Sequence, residues 1–171
     1  MNKLIYELGK VQRPHNTLIT KVLFKLYTVP ILHKYVRKSL LNSLNLPQST
    51  SINQRFYCSA PLLKLGENVG LGDTFVIAYA PITIGKGCSF SFRNMIITST
   101  HDFENFGTVI AKPVTIGNNV WVTSNVTILP GVTIGDNTVI GAGSVVTRDI
   151  PSGVFAAGNP CKVIKEIDFR K

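Results

Sequence analysis

At 171 residues and a formal net charge of +9, the chain fits one domain with material for a sizeable core. Its three cysteines, Cys58, Cys88 and Cys161, lie far apart without a CxxC pair, so neither zinc nor a disulfide framework is suggested and a reducing cytoplasm is the simplest home. The apolar residues 17–32 are interrupted by Lys21 and Lys25 and no small-residue cleavage site follows, so neither a secretory leader nor a membrane span is expected.

The charge is uneven. Residues 1–45 carry Lys3, Lys10, Arg13, Lys21, Lys25, Lys34, Arg37 and Lys38 against Glu7 alone, and the rest is close to balance. Such a leg suits an anionic neighbour, whether a membrane leaflet, an acidic saccharide or a nucleic acid; a solvated helix face would look the same. The leg, residues 1–48, is expected to be helical from Met1 to about Leu46. Leu18, Ile19, Val22, Leu23, Leu26 and Tyr27 fall on one face, with Asn16 or Thr17 as N-cap. Pro30 should break the helix, since proline inside a helix costs ~3 kcal/mol. From Ile31 to Leu44 a second stripe runs through Leu32, Tyr35, Val36, Leu40 and Leu44, beside Lys34, Arg37 and Lys38. This basic amphipathic leg could cap the open end of a repeat array or lie on an anionic membrane surface, and capping is preferred because an open end must be covered in any case.

From residue 49 the composition changes to short β-type runs with glycine. A weak step of six appears at Leu65, Leu71 and Ile77, slips by one at Pro81, and resumes at Ile84, Phe90 and Ile96. The strong signal is Ile116, Val122, Ile128, Ile134, Ile140 and Val146, with a companion series at Val120, Val126, Val132, Thr138, Ser144 and Ile150. Neither a helix of 3.6 nor a strand of 2 gives this period; a β-solenoid does, with three short strands per coil of about eighteen residues. Each inward aliphatic side chain contributes ~1.5–3 kcal/mol of burial. Asn118, Asn119, Gly131, Asp136 and Asn137 are expected at left-handed corners. From Ile96 to Ile116 is twenty residues, which breaks the rhythm. Either two extra residues sit in three repeats or eight sit in two. The polar run Asp102 to Thr108 favours the second, a loop near 102–112 expelled from one coil, with Pro113 at the re-entry. Residues 49–160 then form the solenoid domain and 161–171 a C-terminal tail.

The run Lys112-Pro113-Val114-Thr115-Ile116-Gly117-Asn118-Asn119-Val120-Trp121-Val122, with Ile128-Leu129-Pro130-Gly131-Val132-Thr133-Ile134-Gly135-Asp136 and Val139-Ile140-Gly141-Ala142-Gly143-Ser144-Val145-Val146-Thr147, resembles the hexapeptide-repeat acyltransferases. Within them it is most similar to the galactoside and maltose O-acetyltransferase branch and to acetyltransferases of capsule and colanic acid-type saccharides. The tail Ala156-Ala157-Gly158-Asn159-Pro160-Cys161-Lys162-Val163-Ile164-Lys165-Glu166-Ile167 carries the same pattern. The resemblance implies a left-handed parallel β-helix, acetyl-CoA as donor substrate, no required metal, and a homotrimer with active sites between subunits. The acceptor it implies is a saccharide hydroxyl.

The family's catalytic histidine stands just before the expelled loop, which here is His101. The residues agree: His101 is the sole histidine in the repeat region and sits at the mouth of its irregularity. An imidazole there could take a proton from an acceptor hydroxyl while the oxygen attacks the thioester, then return it to the departing sulfur. Carried over from the family, Ser124, Ala142, Thr147, Arg148, Lys162 and Lys165 would meet acetyl-CoA, the last two as lysines where the branch often has arginine. Asp102, Glu104, Trp121 and Asp73 are acceptor candidates, with Trp121 expected outward or at a corner as support. The sugar branch's usual N-terminal lead is not recognisable, and the loop after the histidine is compact. Both features point to a lipid-linked or polymeric acceptor in surface-polysaccharide assembly, handled in the cytoplasm, peripheral to the inner face of the membrane. Acetylation of an antibiotic or free sugar is the alternative. Outside enzymes, a solenoid scaffold or anionic-surface binder remains. A nucleic acid partner is not expected. A γ-type carbonic anhydrase needs three zinc-binding histidines around the prism, and His15 and His33 lie in the leg.

Overall fold

The computed structural model describes residues 3–7 and 12–168; Lys10 of the basic leg lies outside the described residues. The chain winds a left-handed triangular β-helix whose walls are three parallel ladders. The first wall stacks Leu63–Leu65, Ile82–Ile84, Val114–Ile116 and Thr133–Ile134. The second stacks Ser51–Ile52, Gly70–Gly72, Ser89–Phe90, Trp121–Val122, Val139–Ile140 and Val154–Ala157. The third stacks Tyr57–Cys58, Phe75–Ile77, Met95–Ile97, Thr127–Ile128 and Val145–Val146. The chain visits the walls in that order, so one coil is three strands and three corners.

The six-step of Ile116, Val122, Ile128, Ile134, Ile140 and Val146 points inward throughout, and every member is buried. Ile116 pairs with Ile134, Val122 with Ile140 and Ile128 with Val146, each eighteen residues apart. No single coil can bury its own aliphatic side chains, so stability resides in the contacts between neighbours.

Below this regular stretch the coils lengthen. Val76, not Ile77, is the inward residue, because it pairs with Ile96 and is fully buried. The slip therefore precedes Ile77 and does not wait for Pro81. The larger correction concerns the expelled segment. Ile84 pairs with Ile116, Phe90 with Val122 and Ile96 with Ile128, each thirty-two residues apart. Against a coil of eighteen that is fourteen extra residues in one step, rather than two or eight. They form a hairpin instead of an irregular loop: Ser99–His101 pairs antiparallel with Thr108–Ala111. Val109 and Ala111 of the returning strand are buried, with Leu4–Glu7 on one side of it and Ser99–His101 on the other.

The corner between the first and second walls carries a glycine column. A methyl group on Gly85 would lie 2.6 Å from the Gly117 carbonyl oxygen, and one on Gly66 would lie 2.5 Å from the Lys86 nitrogen, so only glycine allows the coils to stack there. Of the expected left-handed corner residues, Asn119, Gly131 and Asn137 have positive φ. Asn118 and Asp136 do not; they tie coils together instead. Asp136 Oδ1 accepts from the Asn118 N–H at 2.7 Å, and Asn118 Oδ1 accepts from the Lys86 N–H at 3.0 Å.

The basic leg holds two helices, α1 (Leu18–Tyr27) and α2 (His33–Ser43), divided by Pro30. Thr17 is the N-cap, its hydroxyl accepting from the Thr20 N–H, while Asn16 is buried and donates to the Cys58 carbonyl. Leu40, Leu41 and Leu44 are buried and join the core at the open end of the prism, so the leg does cap it. Three expectations fail in part, one of them in the second stripe, where Leu32 and Tyr35 are exposed although Leu40 and Leu44 are buried. Leu4–Glu7 is a strand, paired with Thr108–Ala111 of the hairpin, where helix was expected. Of the expected stripe on α1, Tyr27 is buried and Leu23 packs against the core, but Leu18, Ile19, Val22 and Leu26 are exposed, and the packing face is completed by Thr20 and Phe24. The Phe24 ring packs against Phe56 and Tyr57, while Tyr27 meets the His33 ring edge-on and donates its hydroxyl to the Ile52 carbonyl at 2.8 Å. At the other end the tail forms a strand, Lys162–Glu166, antiparallel to Val154–Ala157.

Candidate active site

The hairpin leaves the prism at the corner between the third and first walls, and its root is held by one hydroxyl. Thr98 is buried; its Oγ1 accepts from the Tyr79 N–H at 2.8 Å and the Ala80 N–H at 3.0 Å. The Thr98 carbonyl accepts from the Lys112 N–H at 2.8 Å, closing the base of the hairpin. The leg reinforces this knot: Tyr6 donates to the Tyr79 carbonyl and Arg13 to the Tyr79 hydroxyl, both at 2.8 Å. Thr98→Val keeps the shape and strands two backbone N–H groups. It is expected to cost about 1–3 kcal/mol, read by denaturant unfolding, with faster amide exchange across 99–111. A change below a few tenths of a kcal/mol would show that the hydroxyl is not the anchor.

His101 ends the outgoing strand of the hairpin and is exposed. Its Nδ1 lies 2.7 Å from the Phe106 carbonyl oxygen. A carbonyl can only accept, so Nδ1 carries the proton and the neutral ring presents a bare lone pair at Nε2. The imidazole is thus oriented by a backbone carbonyl and by neither Asp102 nor Glu104. Asp102 instead shapes the turn, its Oδ1 accepting from the Glu104 N–H at 2.9 Å and the Asn105 N–H at 3.3 Å.

His101, Asp102, Glu104 and Thr147 line one cleft of about 820 Å³, together with Leu129 and Pro130 from the next coil. Two cations join them that the sequence reading passed over, Lys3 and Lys112. Lys112 stands beside the re-entry proline and was discoverable. Lys3 gave no local sign, because strand pairing brings it there across about a hundred residues. Arg148 follows Thr147 at the same corner and is exposed.

The remaining candidates lie elsewhere on this subunit. Ser124 and Ala142 occupy the corner between the second and third walls, and the Ser124 hydroxyl accepts from the Phe92 N–H at 3.4 Å. Asp73 lies at that corner two coils lower and accepts from the Arg93 N–H, which fixes Arg93 in its left-handed turn. Asp73 also lines a separate cleft of about 460 Å³ with His33, Arg55 and Phe92. Trp121 projects from the second wall, half exposed, with its indole N–H donated to the Ser91 hydroxyl at 3.3 Å. Lys162 and Lys165 are exposed on the tail strand. Within one chain, then, Thr147 joins His101 in its cleft, and Ser124, Ala142, Trp121 and Asp73 do not.

Residues 113–148 match the family model described as bacterial transferase hexapeptide (six repeats). The galactoside O-acetyltransferase of Escherichia coli is 44% identical over 117 residues, 61% of this chain and 57% of that protein. The crystal structure of a maltose O-acetyltransferase from Clostridium difficile superposes with a TM-score of 0.82 at 36% identity, covering 88% of this chain and 86% of that one. A galactoside acetyltransferase in complex with coenzyme A superposes with a TM-score of 0.73 at 33% identity, over 88% and 80%. The chain spans about six-tenths of the length of the first curated relatives it matches.

Proposed function

We propose that this chain, which belongs to the hexapeptide-repeat acetyltransferases of the galactoside and maltose type, moves an acetyl group from acetyl-CoA to a hydroxyl of a saccharide. The observation that carries the reading is His101, exposed in an open cleft with Nδ1 tied to the Phe106 carbonyl and Nε2 left as base. Nε2 takes the acceptor hydroxyl's proton as that oxygen bonds to the thioester carbonyl carbon. Collapse of the tetrahedral adduct breaks the C–S bond, and the imidazolium returns its proton to the CoA sulfur. The Phe106 carbonyl favours the charged ring at the intermediate stage by accepting a stronger hydrogen bond from Nδ1.

Thr147 and Arg148 are suited to the donor on the His101 side. Ser124 and Ala142 lie one wall away on the same subunit. A second subunit presenting that corner to the cleft would unite them, which supports a homotrimer with active sites between prisms. Lys162 and Lys165 are exposed cations suited to CoA phosphates. Asp102, Glu104, Lys3 and Lys112 place two anions and two cations around the acceptor opening, which favours a polar, charged acceptor in surface-polysaccharide assembly over a small apolar one. Trp121, half exposed on the second wall, and Asp73 would reach the acceptor only across such a subunit contact.

The test is release of free CoA thiol from acetyl-CoA by the purified chain, across lipid-linked saccharides, polymeric saccharides and free sugars. Acceptor-dependent release with saccharide hydroxyls is expected. Thiol release with amine acceptors only, or with none of the panel, would sink the reading.

A further inference from the structure

The apolar stripe of α1 is not consumed by the fold. Leu18, Ile19, Val22 and Leu26 recur at helical spacing and stay exposed, the first two at 77% and 70%. Past α1, Val29, Ile31, Leu32 and Tyr35 continue the exposed apolar surface, Ile31 at 77%. Lys21, Lys25, Lys34 and Lys38 stand among them, all exposed. The chain has no Asp or Glu between Glu7 and Glu67. The two helices therefore combine aliphatic side chains with lysines and contribute no carboxylate; Asp73, in the cleft it shares with Tyr27, His33 and Arg55, belongs to a corner of the prism.

We infer that the capped end of the prism docks on an anionic membrane leaflet. Ile19, Val22, Leu26 and Ile31 enter the boundary between headgroups and acyl chains, and the four lysines meet lipid phosphates. Charge selects this occupant. A second copy in face-to-face contact would bring two sets of four lysines together with no carboxylate between them. A leaflet supplies phosphates and hydrocarbon in one layered arrangement, at the two depths that long lysine side chains and short aliphatic ones reach. The contact is interfacial: no described helix is long and apolar enough to cross a membrane.

Docked in this way, the prism stands end-on. The His101 coil lies two ladder spacings, ~10 Å, above the first strand of the third wall. The cleft would face the layer in which a lipid-linked saccharide is held. That last step rests on the proposed function, whereas the docking does not.

The experiment is cosedimentation of the full chain with vesicles of phosphatidylcholine alone, or with about one-third phosphatidylglycerol, over a salt series. Binding to the anionic vesicles is expected, weakening as salt rises. Each Lys→Gln change at 21, 25 or 34 is expected to lower the partition coefficient about fivefold. The double variant Ile19→Asn, Ile31→Asn should reduce it at least as much as two lysine changes, with native mass, thermal unfolding and CoA release to a soluble acceptor unchanged. Three outcomes would each overturn the inference: no binding to anionic vesicles, equal binding to both vesicle types, or an Ile19/Ile31 variant that binds like the parent. A shift of native mass in that variant would assign the surface to a protein contact and overturn it too. The vesicle assay needs no acetyl-CoA. A chain that binds vesicles but transfers no acetyl group sinks the proposed function alone, and the reverse sinks the docking alone.

Discussion

His101→Ala is expected to lower acceptor-dependent CoA release by roughly a hundred- to ten-thousandfold, the range for loss of a positioned general base. The fold should not register the change. His101 is exposed, and the hydrogen bond of its ring goes to the Phe106 carbonyl on the same hairpin, which water can replace. Thermal unfolding and native mass should therefore match the parent, and the loss should appear in kcat more than in KM, because the imidazole acts mainly in the transition state. A rate within threefold of the parent would remove His101 from the chemistry. A variant of changed mass would instead place the residue in assembly.

The second large effect is on stability. Ile128 is buried and sits between Ile96 below and Val146 above in the third wall. The lower of these pairings spans the whole hairpin insertion. Ile128→Ala removes three carbons from a column whose neighbours are themselves locked into ladders, so little collapse can fill the space. A cost of about 2–5 kcal/mol is expected, or roughly 4–20 °C in Tm for a domain of this size. Acetyl transfer per folded molecule should fall less than the stability does. A loss below about 1 kcal/mol would mean that the coils relax far more than a stacked ladder permits.

What could be seen in the sequence divides along physical lines. The upper coils were legible because each inward step there is Ile or Val and the corners repeat without insertion. The lower slip was not, because Val76 and Ile77 are adjacent β-branched residues and pattern alone cannot choose between them. The hairpin's length was underestimated for a related reason. An excess of two, eight or fourteen residues leaves the same remainder in a six-step, and Val109 and Ala111 are as buried as a coil strand would be. The helical face is right at Tyr27 and Leu23 and wrong at Leu18, Ile19, Val22 and Leu26, because α1 packs through Thr20 and Phe24 while those four aliphatic residues are exposed.

The site shows the same division. His101 is singled out by the family resemblance, and its place at the failure of the rhythm agrees with that. Its orientation could not be read, since the partner is a carbonyl oxygen and every residue has one. Lys3 reaches the cleft only because Leu4–Glu7 adds an edge to the hairpin, a pairing between distant segments that leaves no periodic trace.

The hairpin that carries His101 interrupts the sequence but not the ladders. Ile84 meets Ile116, and Ile96 meets Ile128, as though the intervening segment were absent. The residue proposed as base is thereby written in a stretch apart from the ladders, although Leu129, Pro130 and Thr147 of the coils share its cleft. The coils can hold their register while the hairpin changes length or composition, and the hairpin can diverge without every change being tested against the core. An arrangement of this kind lets acceptor choice drift quickly on a slowly changing frame, much as a socket accepts new tools without being recast.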